Sequence, residues 1–129
     1  MSDGIGPMNR RGHSIEVTPG SDQVVVRVNG TIVATSSRPL VLAETGLPAR
    51  YYLPADDVKM DLLKPSATTS HCPFKGDAVY WSVDTGDGLA EDVAWSYREP
   101  IPNVQEIAGL LAFWTEKPGV TLEVNGEGS

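Results

Sequence analysis

Two β-branched runs, Val24-Val25-Val26-Arg27-Val28 and Thr31-Ile32-Val33-Ala34-Thr35, are separated only by Asn29-Gly30. Asn and Gly both accept positive φ, which a two-residue turn with the native strand twist requires, so this stretch reads as an antiparallel hairpin. A lone hairpin is marginal in water and needs further strands to cover its apolar face. The rest of the chain offers them in short pieces. Ser14 to Val17 is closed by Pro19-Gly20, Pro39 to Glu44 stops at Gly46, and Arg50-Tyr51-Tyr52-Leu53 runs into Pro54. Cys72 to Val83 reads as one strand broken at Gly76. Val93 to Tyr97, Leu110 to Trp114 and Val120 to Val124 follow, with turn residues at Asp84 to Gly88 and at Lys117-Pro118-Gly119.

Helical signals are weak. Pro54-Ala55-Asp56-Asp57-Val58 has an early proline and first-turn acids, with Asp56 as a cap or dipole partner, and Pro65 soon ends any helix there. Asn103 is placed to cap a short helix reaching Ala108. The expectation is a mainly β fold of about eight to ten short strands: one compact sandwich-like or small barrel-like domain with one or two short helices. Residues 1–12, polar and Gly-rich, read as a mobile tail. Residues 13–125 read as the domain, and 126–129 as a C-terminal tail. At 129 residues the chain is long enough to bury a core without staples.

Charge and composition exclude several roles. Ten Lys and Arg against 17 Asp and Glu leave a net charge of −7, a poor field for phosphate backbones, so nucleic acid is not expected as a partner. No run approaches the roughly 18 to 20 apolar residues that a membrane helix needs. The N-terminal segment lacks the apolar stretch of a secretory signal. One cysteine, Cys72, allows no internal disulfide and no Cys-based zinc cluster. A cytoplasmic location is the expectation, with no metal and no cofactor. Oligomeric state has no signature here.

The ordered motifs Gly30 to Glu44 (with Arg38 and Glu44 inside it), Tyr51-Tyr52-Leu53-Pro54, Asp57-Val58 and Cys72-Pro73-Phe74-Lys75-Gly76-Asp77-Ala78-Val79-Tyr80 are followed by Ala94-Trp95-Ser96-Tyr97, Pro100 and Ile107 to Phe113. This set resembles the bacterial family catalogued as domain of unknown function 427 over roughly residues 13 to 124. The resemblance implies a β-rich domain similar to the β-tent folds and implies no established activity. The chain departs from that pattern at Thr35, where an acid is common, and at Ala43, where a base is common. The family also carries a nucleotidyltransferase-like label. That chemistry needs phosphate-gripping glycines and metal-holding carboxylates, and the chain has neither a Gly-x-x-x-x-Gly-Lys-Ser/Thr loop nor a convincing acid triad. Asp84, Asp87, Glu91 and Asp92 lack calcium-loop spacing and read as a solvated acidic loop.

The residues with chemical potential are few. Lys75, between Phe74 and Gly76 in an apolar stretch, needs a partner and is expected to bind a ligand or act as a desolvated amine. Cys72 is a candidate nucleophile, against the common role of a buried small hydrophobe; its neighbour His71 would point to the opposite face of a strand. Tyr80, Trp95 and Tyr97 are expected to wall a pocket, with Val93 on the same face as Trp95 and Tyr97, or else to form core. Arg38 and Glu44 match the family motif and are expected at the pocket edge, against surface ion pairing, and Tyr52 is placed to bring a phenol beside Lys75. The reading is a polar-aromatic pocket for a small anionic or carbonyl-bearing molecule, bound or transformed. The alternative is a non-catalytic module that holds a partner protein through an acidic face or a sheet edge.

Overall fold

The computed structural model describes residues 14–86 and 88–128, and the expected tail at 1–12 lies outside them. The fold is mainly β, built as three antiparallel sheets, none of them closed into a barrel. The first sheet joins β1 (Ile15–Pro19), β4 (Leu40–Glu44) and β5 (Arg50–Tyr52) in the order β1-β4-β5. The second holds β2 (Val24–Val28), β3 (Thr31–Ser36), β10 (Val120–Val124) and the two-residue β11 (Glu127–Gly128), in the order β11-β10-β2-β3. The third runs β6-β7-β8-β9 with β6 at Leu63–Cys72, β7 at Gly76–Asp84, β8 at Leu89–Tyr97 and β9 at Ala112–Phe113.

The Asn-Gly hairpin forms as its chemistry demands. Val28 pairs with Thr31, and Asn29 and Gly30 sit at φ 51° and 86°. Along β2, Val24, Val26 and Val28 are fully buried while Val25 and Arg27 are only partly so, the period of a strand with one face inward.

The third sheet buries side chains on both faces. Trp81, Val83 and Ala94 join Val24, Val26 and Val33 of the second sheet in one core. Ala78, Tyr80, Trp95 and Tyr97 join Leu42 and Tyr52 of the first sheet, with Ile107, in another. Alternation along β7 makes this division, since 78 and 80 face one way and 81 and 83 the other. Val93 departs from the expected face. The β7–β8 register shifts between Trp81 and Val83, Asp92 adopts φ 53°, and this bulge sends Val93 into the core opposite Trp95 and Tyr97.

Four other elements differ from the sequence reading. The stretch Cys72 to Val83 is not one interrupted strand: Cys72 pairs with Gly76, so the chain reverses through Pro73-Phe74-Lys75 and Lys75 lies in a hairpin tip. The strand β6 was not expected. It is almost wholly exposed, so its sequence lacks the alternation that marks a half-buried strand. The helices are single 3₁₀ turns or little more, η1 (Ala55–Asp57), η2 (Met60–Leu62) and η3 (Pro102–Ile107). Asn103 does not cap η3, because Pro102 already occupies the first helical position, and Asp56 does not cap η1, which Pro54 precedes. Residues 126–128 are not a free tail, because Asn125-Gly126 turn the chain back to pair Glu127 with Val124.

Candidate functional site

The hairpin tip that carries Lys75 is fixed by backbone contacts. Lys75 N–H donates to the Cys72 carbonyl at 3.1 Å, and the Lys75 carbonyl accepts from Ile101 N–H at 2.9 Å. Gly76 adopts φ +123°, and a Cβ there would meet the Pro100 Cα at 3.3 Å. Glycine therefore lets the tip lie flat against the segment that follows β8. From this anchored position Lys75 reaches across to the end of β4. Its Nζ lies 2.7 Å from Glu44 Oε1, and the two side chains are 12% and 6% exposed.

This ion pair borders a cavity of about 210 Å³. Tyr80 from β7 and Trp95 and Tyr97 from β8 form its aromatic wall, joined by Trp114 just beyond β9. Leu42, Leu47 and Pro48 supply apolar surface from β4 and the loop after it, and Arg50 of β5 completes the lining. The rings hold one another. Trp95 and Trp114 meet edge to face at 6.2 Å between centroids, and Tyr80 lies 6.5 Å from Trp95 and 6.3 Å from Trp114. Trp95 Nε1 donates to the Tyr52 hydroxyl at 3.1 Å, and the Arg50 guanidinium sits 5.3 Å from the Trp95 ring centroid.

Electrostatics follow from burial. Tyr52 is completely buried, and burial pushes its phenol up to about 12, so it stays protonated at neutral pH. Burial likewise drives the Tyr97 phenol far above the ordinary tyrosine range, with the neighbouring phenol of Tyr52 adding to the effect. The Tyr97 hydroxyl has no hydrogen-bond partner among the described residues, although the residue lines the cavity. Arg50 Nη1 donates to Glu116 Oε1 at 2.9 Å, which holds the Glu116 carboxyl below its usual range.

Of the residues singled out from sequence, Lys75, Glu44, Tyr80, Trp95 and Tyr97 meet at this cavity. Tyr52 stands behind the wall, as the acceptor that orients Trp95. Arg38 is elsewhere. The chain bends at Ser37 and Arg38 before β4 begins, and the exposed guanidinium pairs with Asp57 at 3.2 Å. That contact and the hydroxyl of buried Ser36 hold the Asp57 carboxyl below its usual range, the Ser36 hydrogen bond being the larger cause. Cys72 does not line the cavity. It packs half-buried against the Leu42–Tyr52 core, while its neighbour His71 pairs with Asp77 at 2.6 Å on the exposed face of the hairpin.

Arg50 and Trp114 were missed, although the period of two carried a signal for both. Arg50 precedes Tyr52 by two residues on the same strand, and Trp114 follows Ala112, the partner of Trp95, by two.

Among the described residues, no three His, Cys, Asp or Glu side chains gather as a metal ion would require, and no helix is long and apolar enough to cross a membrane. A small antiparallel β domain with a polar-aromatic cavity is the class these features define. The family model described as domain of unknown function (DUF427) matches residues 16–125, and the chain belongs to that family. No curated protein matches it.

Proposed function

We propose that this chain binds a small anionic or carbonyl-bearing molecule in the Lys75 cavity. The observation that carries the reading is the Lys75–Glu44 pair: opposite charges almost removed from water and set in the wall of an aromatic cavity. Desolvating two ions costs several kcal/mol and is poorly repaid as stability alone, which gives a physical reason to assign the pair a ligand-binding role. Lys75 supplies N–H donors to a ligand oxygen, Glu44 holds the ammonium in place, and the protonated Tyr97 hydroxyl offers a second donor. Tyr80, Trp95 and Trp114 supply flat apolar contact. The half-buried Cys72 packs outside the cavity lining, so the reading gives it no part in ligand contact. This arrangement favours a ligand site over a docking module, for which an amine open to solvent would be expected.

The test is native mass spectrometry of freshly purified protein, together with amide NMR titration against a panel of small carboxylates, ketones and amides. The expected result is a bound small molecule, or panel compounds that shift the Lys75, Tyr97 and Trp114 resonances, with binding lost in a folded Lys75→Met variant. Absence of both signals in the wild type, or equal binding by the variant, refutes the proposal.

A further inference from the structure

Resting on the reading that the cavity takes a ligand, we infer that Arg50, rather than Lys75, anchors a carboxylate of a planar ligand, and that Glu116 occupies that anchor until the ligand displaces it. The side chain of Arg50 is 23% exposed and forms part of the cavity lining. Its guanidinium carbon lies 5.3 Å from the centroid of the Trp95 ring, and Trp95 is in turn held by its hydrogen bond to Tyr52. A guanidinium carries five N–H donors in a rigid fork that matches a carboxylate. Only one of them has a partner among the described residues, the Nη1 bond to Glu116.

Lys75 is the poorer anchor for a carboxylate. Its charge is already matched by Glu44, whose side chain is 6% exposed, so a second carboxylate there would meet a like charge with little water to screen it. The Arg50 partner differs in kind. Glu116 is 48% exposed, lies in the segment between β9 and β10, and can return to solvent when released. Exposed ion pairs of this sort are weak, so exchanging one carboxylate for another at Arg50 is nearly balanced, and the ligand's remaining contacts decide it. Those contacts are rings. Trp95, Trp114 and Tyr80 favour a flat apolar body next to the carboxylate, while Lys75 and Tyr97 line the same cavity and can meet a further ligand oxygen. The ligand class is therefore a small aromatic or conjugated carboxylate. Glu116 is a positioning residue that sets the affinity.

The experiment compares benzoate with benzamide, which share a shape and differ in charge, by NMR titration of the full chain. The wild type is expected to prefer benzoate. Glu116→Gln frees the guanidinium and should tighten benzoate by roughly three- to fivefold while leaving benzamide within about twofold, a change in ratio that a merely structural role would not produce. Arg50→Met, which keeps apolar contact with Trp95, should abolish the preference. If both compounds bind and neither substitution alters their ratio, the anchor is not Arg50 and the inference falls while the cavity reading stands. If neither compound binds the wild type or Glu116→Gln, the inference falls, and the cavity reading is decided by the native mass spectrometry and the wider panel. Should Arg50→Met fail to fold, the exposed Glu116→Gln decides alone.

Discussion

Replacing Glu44 with Gln preserves the shape of the side chain but removes its charge, leaving the Lys75 ammonium in a site where its side chain is 12% exposed. Breaking a buried ion pair from one side costs about 3–5 kcal/mol, against at most about 1 kcal/mol for an exposed pair. The residual exposure of Lys75 places the expected loss near the lower figure, about 3 kcal/mol. At this chain length that corresponds to a fall in Tm of roughly 10 °C. Removing both charges together, in Glu44→Gln with Lys75→Met, should recover most of the loss, because an apolar replacement of a buried pair is often neutral. Urea unfolding of the wild type, both single variants and the double variant gives the coupling energy directly. Single variants that each lose less than about 1 kcal/mol, with additive effects in the double, would show that the pair behaves as though solvent screened it and would remove the physical basis for the site.

Gly76→Ala places a Cβ 3.3 Å from Pro100 Cα at φ +123°, so it should cost about 1–3 kcal/mol in urea unfolding and shift the Lys75 amide resonance; a neutral change would mean that the hairpin tip is not pressed against the segment after β8. The Tyr52 and Tyr97 phenols are raised in the folded state, so the stability they contribute is complete below the ordinary tyrosine value near 10 and falls as pH rises toward the folded values. Ultraviolet titration should show the Tyr52 and Tyr97 phenols still protonated at pH values just above 10, and Tyr52→Phe should remove the transition near 12; ionisation of every phenol near 10 would contradict the burial.

How much was legible from the residues depends on whether local chemistry sufficed. Asn29-Gly30 between two β-branched runs leaves the backbone one cheap solution, so the β2–β3 hairpin could be read without a partner in view. Strand alternation likewise put Trp95 and Tyr97 on one face, as they are found. The exposed strand β6 carries no pattern of its own, and only pairing with β7 makes it a strand. Val93 was misplaced because the bulge at Asp92 breaks the period on which such reasoning rests.

The amino-acid order by itself thus determined a mainly β chain and where its clearest turn lies. Local φ preference and side-chain period act over a few residues and need no distant contact. The tertiary structure alone decided that Lys75 sits at a hairpin tip, that it meets Glu44 from 31 residues away, and that Arg38 turns outward while Arg50 turns in. Those outcomes depend on how three sheets pack against one another, and packing brings together side chains whose separation along the chain carries no record of their meeting.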